Sequence, residues 1–125
     1  MSGVKLTDIV EKMNLKNLTP EVDITEREVL VPDVNRPALQ LAGFFDHFDL
    51  NRVQIIGNVE CAYLETLEEE KRVEIYQKLL EHKVPCIIFS NELQPDGSFL
   101  ELAEKNDIPV FGTCKKTSSF MGELI

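Results

Sequence analysis

The residue types that most often carry chemistry in proteins are few in this sequence and widely spaced. Its three cysteines are Cys61, Cys86 and Cys114, and its two histidines are His47 and His82. A structural zinc site needs pairs of such ligands roughly two to five residues apart, and the sequence contains no such pair. Neither histidine has a carboxylate or nucleophile at a recognisable spacing, so neither is a candidate general base. We therefore predict no catalytic residue, no cofactor-binding residue and no metal ligand in this chain.

One segment near the carboxyl end has the composition of an anion site. Two lysines precede three hydroxyl residues, and the apolar pattern that follows predicts a helix beginning at those hydroxyls. Free N–H groups at a helix start, together with hydroxyls and cations, can hold a phosphate or another anion. The alternative is that the hydroxyls only cap the helix, which is their commonest role. The candidate anion-site residues are Lys115, Lys116, Thr117, Ser118 and Ser119.

The same segment is not a nucleotide-binding P-loop. That loop needs two glycines at a fixed spacing before its lysine, because backbone N–H groups cradle the phosphates there. Gly112 is followed by Lys115 and Lys116 without the second glycine. ATP binding through this motif is excluded.

A cluster of aromatic residues follows Gly43 and has two interpretations. Phe44 and Phe45, with Arg36 upstream, are candidates for a protein interface, because aromatic residues and arginine are enriched at such surfaces. The alternative places the phenylalanines in the core, with Asp33 capping a turn and Arg36 either pairing locally or extending its charged end to water. Spacing alone leaves both interpretations open.

The remaining pattern predicts the elements that must position these residues. Short apolar runs at 53–56, 84–89 and 108–111 are typical of buried strands, and amphipathic segments separate them. Leu6, Ile9, Val10 and Met13 share one face of a first helix, which Asn14 ends. Thr66 and Glu69 have the spacing of a capping box for a helix carrying Val73, Tyr76, Leu79 and Leu80. Further helices are predicted around Phe99 to Ala103 and from 117 onwards, a short extended stretch at 28–31, and a helical turn at 37–41.

Strands that alternate with helices predict an α/β fold with three layers and a small, mainly parallel sheet. The chain has 125 residues, the size of one domain. We therefore treat residues 1–125 as a single domain. Because the predicted last helix has only begun at Ile125, we expect the native chain to continue beyond it.

The charge balance argues against several classes of partner. Aspartate and glutamate outnumber lysine and arginine by 22 to 13, which gives a formal net charge of −9. Binding to nucleic acid or to an anionic membrane surface requires clustered basic residues. The sequence has neither a signal peptide nor an apolar run long enough to cross a bilayer. We expect a cytoplasmic protein that binds neither nucleic acid nor membrane.

Several segments, taken together, resemble the N-terminal domain of the HPr kinase/phosphorylase family. The most specific is the block at residues 33–45, DVNRPALQLAGFF, in which Ala38 stands where many members have glycine. The other matching segments, which follow in family-like order, are 52–57 (RVQIIG), 62–64 (AYL), 84–88 (VPCII), Ala103 with 108–110 (IPV), and 117–120 (TSSF).

The resemblance implies a bacterial enzyme that phosphorylates a serine of HPr, the phosphocarrier of the sugar phosphotransferase system, and removes that phosphate again. It thereby implies a role in carbon catabolite repression. Members look like homo-oligomers, hexamers in the full-length family. ATP and magnesium are bound by a C-terminal P-loop kinase domain, which is absent from this sequence. The resemblance also implies a fold similar to the N-terminal domain of the muramyl peptide ligases.

The chain itself is then an accessory domain with a role in assembly or regulation, partnered by the kinase domain of the same protein. Two alternatives remain at this point. One is a stand-alone module of the same fold that binds a small ligand, such as an anion or a nucleotide-sugar. The other is an oligomerisation module without a ligand.

Overall fold

The fold is an α/β sandwich built around a small central sheet. The computed structural model describes residues 4–29, 34–35 and 53–116. The strands are β1 (Val4–Lys5), β2 (Lys16–Asn17), β3 (Glu28–Val29), β4 (Val34–Asn35), β5 (Val53–Ile56), β6 (Ile87–Phe89) and β7 (Val110–Gly112). The helices are α1 (Leu6–Lys12), α2 (Asn58–Glu65), α3 (Glu69–Leu80) and α4 (Gly97–Lys105).

The main sheet has the strand order β2-β7-β6-β5-β4. The four strands from β4 to β7 are parallel, and β2 pairs with β7 in the antiparallel direction. A separate antiparallel pair joins β1 to β3. The predicted fold class, with a small and mainly parallel sheet, is therefore confirmed. The likeness to the muramyl peptide ligases stays a prediction.

Both faces of the sheet are covered by apolar side chains, as expected of parallel strands. Side chains of a strand alternate between faces, so Ile55 and Ile56 on β5 belong to different clusters. The cluster of Ile56 packs against α2, α3 and α4, and the cluster of Ile55 packs against α1 and Leu15. The sheet is thus the middle of three layers.

Several local predictions are confirmed. The first helix ends at Lys12, and Asn14, the predicted stop, follows its cap residue Met13 with a φ of 54°, the left-handed conformation that asparagine tolerates. Tyr76, Leu79 and Leu80 form the buried side of α3 together with Ile75, which the predicted stripe had omitted. Phe99 and Ala103 are the buried residues of α4.

The capping box predicted at Thr66 and Glu69 is wrong. The residue before α3 is Glu68, which makes no side-chain capping bond. Thr66 instead ends α2, where its hydroxyl donates a 2.6 Å hydrogen bond to the Tyr63 carbonyl. Helix α2 occupies the residues immediately before Thr66, so Thr66 follows the end of α2 and does not begin α3.

Two residues of α3 lie near charges of opposite sign. Arg72 Nε lies 3.4 Å from Oδ2 of Asp96, the residue that precedes α4. Glu74 Oε1 lies 4.0 Å from Lys71 Nζ. The predicted turn at 37–41, the interface candidates Arg36, Phe44 and Phe45, and the last helix lie outside the described residues.

The segment after α1 contains a fully buried polar residue. Thr19 has 0% exposure, and its hydroxyl oxygen accepts a 2.9 Å hydrogen bond from the Val110 N–H. The Leu18 N–H donates to the Val110 carbonyl at 2.9 Å. Hydrogen bonding between the two segments therefore continues beyond the end of β2 at Asn17, with the Thr19 side chain in the place of a backbone acceptor.

Candidate functional site at the carboxyl edge of the sheet

The carboxyl ends of β6 and β7 lie side by side, because Phe89 and Gly112 are register partners. Immediately beyond them the Thr113 N–H donates a 2.9 Å hydrogen bond to the Phe89 carbonyl. In open α/β sheets, ligands bind outside the carboxyl ends of the strands. This edge is therefore where a site is expected.

The loop after β6 turns back sharply over this edge. Asn91 and Glu92 both have a φ of 57°, and the Leu93 N–H donates to the Ser90 carbonyl at 3.1 Å. Two successive positive φ values closed by such a bond are the pattern of a type I′ turn, whose second central residue is usually glycine. Glu92 occupies that position with a side chain that disfavours it.

The turn is held by the neighbouring segment of chain. The Asn91 N–H donates to the Lys115 carbonyl at 2.8 Å, and the Glu92 N–H donates to the Thr113 carbonyl at 2.9 Å. The Thr113 hydroxyl oxygen in turn accepts a 3.3 Å bond from the Lys115 N–H. These bonds fix the positions of the two loops relative to each other.

Between this turn and the edge strand β2 lies an open cavity of about 470 Å³. Small-molecule sites commonly measure about 300–1,000 Å³, so the volume is in the range of a ligand pocket. Its walls come from three parts of the chain: the α1–β2 connection, the β6 turn and the end of β7. The lining residues are Asn14, Lys16, Leu18, Glu92, Leu93, Gln94, Gly112, Thr113 and Cys114.

The charged groups of this cavity are one lysine and one glutamate. Within the described part of the chain, neither the Lys16 ammonium nor the Glu92 carboxylate has an ion-pair partner. The two are contributed by different walls, Lys16 by β2 and Glu92 by the turn. Both are exposed, so both are available to a ligand.

The structure describes two of the five residues of the predicted anion site, Lys115 and Lys116, which follow the cavity residue Cys114 in the chain. Lys115 is half-buried with its backbone bonded to Asn91 and Thr113, and Lys116 is exposed. Neither lysine lines the cavity. Thr117, Ser118 and Ser119 lie outside the described residues, so the proposed cluster as a whole stays a prediction.

A second concentration of polar groups lies between α3 and the start of α4. The Tyr76 hydroxyl donates a 2.6 Å hydrogen bond to Asp96 Oδ2, and Arg72 pairs with the same carboxylate. Burial, followed by the bond to Asp96, raises the pKa of the Tyr76 phenol well above its ordinary value. These groups surround a cavity of about 60 Å³, with room for about two water molecules. The arrangement braces the helices.

The thiols are poor nucleophiles where they are enclosed. Burial raises the pKa of Cys86 to about 12, and burial with the nearby Glu60, Glu65 and Asp96 charges raises that of Cys61 to about 11. Cys114 is exposed. Among the described residues, no group of three or more His, Cys, Asp or Glu side chains could hold a metal ion.

His82, the one histidine that the structure describes, is engaged with backbone. His82 lies two residues beyond the end of α3, and its Nδ1 donates a 2.6 Å hydrogen bond to the Lys78 carbonyl in the last turn of that helix. A ring held at a helix end in this way serves as a cap rather than as a base.

No helix among the described residues is both long and apolar enough to cross a bilayer.

Two comparisons with known proteins agree on one family. The family model described as "HPr Serine kinase N terminus" matches residues 4–125. The chain is 52% identical over 125 residues to an HPr kinase/phosphorylase of Lachnoclostridium phytofermentans, covering all of this chain and 40% of that protein. It is 40% identical over 116 residues to the corresponding protein of Caldicellulosiruptor bescii, covering 93% of this chain and 37% of that one.

A solved structure shares the fold at low sequence identity. It contains the CBS and DRTGG domains of the regulatory region of Clostridium perfringens pyrophosphatase, complexed with the activator diadenosine tetraphosphate. The TM-score is 0.67 at 20% identity, over 97% of this chain and 46% of that one. The likeness shows the fold. The chain spans about two fifths of the length of the curated relatives it matches.

Proposed function

The chain belongs to the family of HPr serine kinase N-terminal domains, and we propose that it serves an HPr kinase/phosphorylase as an accessory domain for assembly or regulation. In this proposal the chain transfers no phosphate itself. Its task is to influence the catalytic part to which it is covalently joined.

The observation that carries the proposal is the extent of the match. The family model covers almost the whole chain, yet the chain covers only 40% of the L. phytofermentans relative. The machinery of phosphoryl transfer, a P-loop and the carboxylates that hold magnesium, then belongs to the remaining part of the parent protein. The sequence of this chain contains no P-loop glycine pattern, which supports this division of labour.

The proposal carries further expectations for the parent protein. It binds ATP and magnesium through its C-terminal domain, acts on a serine of HPr, and works in the cytoplasm. It assembles as a homo-oligomer and takes part in carbon catabolite repression. Within the parent, the kinase domain of the same protein is the first partner of this chain.

The test compares the parent enzyme with a form from which these 125 residues are deleted. We expect the truncated enzyme to retain phosphoryl transfer from ATP to HPr, because the reacting groups remain. We also expect a changed oligomer mass in sedimentation or a changed ratio of kinase to phosphorylase rates. Thermal unfolding of the truncated form verifies that the kinase domain is folded.

Adding the isolated chain back gives a second measurement. If the domain acts through contacts with the kinase domain, an excess of the chain shifts the rate ratio of the truncated enzyme towards that of the parent. A truncated enzyme with unaltered mass and unaltered rate ratio would overturn the accessory role.

A further inference from the structure

We propose that the carboxyl-edge cavity, lined by Lys16, Glu92 and their neighbours, is a binding site for a small zwitterion of the size of an amino acid or dipeptide. The site goes beyond the accessory role, and it can exist whether or not the parent is regulated through it. Four features of the cavity support this assignment: its position, its charges, its size and its rigidity.

The position is the one that the fold favours for ligands. The cavity opens beyond Gly112 and Thr113, at the carboxyl end of β7. Within the described part of the chain the cavity is open at this edge, whereas both faces of the sheet are covered by packed side chains. Ligand sites of open α/β sheets recur at this edge because the loops diverge there.

The charges select the ligand class. The lining contains one cation, Lys16, and one anion, Glu92, and neither has an ion-pair partner in the described part of the chain. A ligand that carries an ammonium and a carboxylate can satisfy both groups. A dianion such as inorganic phosphate would satisfy Lys16 but would meet the like charge of Glu92, within a chain of net charge −9.

Uncharged polar groups complete the lining. The Asn14 and Gln94 amides can each donate and accept hydrogen bonds, so they suit either end of a zwitterion or its side chain. The Thr113 hydroxyl oxygen accepts from the Lys115 N–H, which leaves the hydroxyl proton available to a carboxylate. Leu18 and Leu93 add an apolar wall.

The site is also rigid enough to select a ligand. Glu92 lies in the type I′ turn, whose backbone is bonded to Thr113 and Lys115 at 2.9 and 2.8 Å. Its positive φ is a conformation that costs a non-glycine residue free energy. Strain of this kind is frequently retained at functional sites, because it presents a particular side chain.

Amide NMR titration of the 125-residue chain tests the proposal. The probes are glycine, L-glutamine, L-arginine and L-alanyl-L-alanine, each at about 10 mM, which populates a site with a millimolar dissociation constant. We expect chemical-shift changes concentrated at residues 14–18, 92–94 and 112–114 with at least one probe. N-acetylglycine amide, which lacks both charges, and inorganic phosphate serve as comparison probes and should leave these residues unshifted.

Two variants separate the charges from the cavity itself. Lys16→Gln and Glu92→Gln each remove one charge at nearly constant size, and each should weaken zwitterion binding at least about tenfold, the loss of roughly one charge-assisted hydrogen bond. Lys12→Gln and Glu101→Gln are matched controls, because both residues are exposed and neither lines the cavity. The controls should bind as the unmodified chain does.

Cys114 provides an independent readout because its exposed thiol lines the cavity. A bound zwitterion should slow alkylation of Cys114 by iodoacetamide, and this protection should disappear in both cavity variants. Three results would overturn the proposal: no shifts with any zwitterion, equal shifts with N-acetylglycine amide, or shifts at this edge with phosphate alone. Failure of the accessory role would instead appear only in the parent enzyme's mass and rates.

Discussion

Tyr76 on α3 and Asp96, the residue that precedes α4, are joined by a hydrogen bond of 2.6 Å from the phenol to the carboxylate. The bond links two helices that the chain reaches on either side of β6. The Tyr76 ring also meets Phe99 edge to face, with centroids 5.0 Å apart. Tyr76 thus combines apolar packing with a polar contact to Asp96, the carboxylate that Arg72 also pairs with.

Replacement of Tyr76 by phenylalanine should lower the free energy of unfolding by about 1–2 kcal/mol. The phenylalanine ring keeps the packing against Phe99, and the variant loses only the hydrogen bond from the phenol to the Asp96 carboxylate. Urea unfolding followed by circular dichroism measures the change. Tyr63→Phe is the control, because Tyr63 is 37% exposed and its hydroxyl is outside the core. Equal stability of the two variants would contradict the bracing role.

Replacement of Thr19 by valine should cost about 1–3 kcal/mol, although the two side chains have nearly the same shape. The cost arises because the Val110 N–H loses its acceptor and stays buried. Thr19→Ser keeps the oxygen and should be affected less. Hydrogen exchange of the Val110 amide reports the same bond directly. Slow exchange in the valine variant would contradict this assignment.

Replacement of Glu92 by glycine should stabilise the chain by about 1 kcal/mol. Glycine adopts a φ of 57° without the steric cost that glutamate bears there, and the turn's backbone bonds need no side chain. Thermal unfolding measures the gain. The same change removes the cavity's carboxylate, so it should weaken zwitterion binding. A destabilised glycine variant would show that Glu92 is not strained.

The stability of the chain should fall at alkaline pH, partly through Cys86. Its pKa is raised to about 12 by burial, whereas an unfolded thiol titrates near about 8.5. Above the unfolded pKa the unfolded state loses a proton that the folded state keeps. The contribution is therefore complete below about pH 8.5 and is lost as pH rises towards the folded pKa, at up to about 1.4 kcal/mol per pH unit.

Urea unfolding between pH 8 and pH 11 checks this dependence. The Cys86→Ala variant is less stable at every pH because it leaves a small cavity, but its alkaline slope should be shallower than that of the unmodified chain. Parallel slopes would mean that Cys86 does not contribute to the pH dependence.

The parts of the fold that sequence reasoning located are those with local apolar signals. Strands β5, β6 and β7 are continuous apolar runs because both faces of the sheet are covered. Helix α2 gives no such signal, because it exposes Val59 and Tyr63 and buries Glu60. Its start is stabilised by Glu60, whose carboxylate accepts a 3.0 Å bond from the Gly57 N–H. Helix prediction expects apolar residues on the buried side and polar residues on the exposed side. In α2 a polar residue is buried because it accepts a backbone hydrogen bond, and apolar residues are exposed.

Only part of the candidate site could be predicted from the sequence, because some of its residues have no apolar pattern around them. The carboxyl ends of the strands could be predicted, and Gly112-Thr113 and Ser90-Asn91 lie where that rule places them. The place of Lys16 in the site could not be predicted. Strand β2 has only two residues, both exposed, and it is held to β7 by backbone pairing. Side chains brought together by an edge strand leave no spacing signature in the sequence.

The most direct test of the account is phosphoryl transfer by the chain alone. The chain is incubated with HPr, magnesium and ATP labelled at its γ-phosphate, beside the parent enzyme at equal molarity. We predict label on the HPr serine with the parent and none above background with the chain. Label transferred to HPr by the 125 residues alone would contradict the assignment of this chain as an accessory domain.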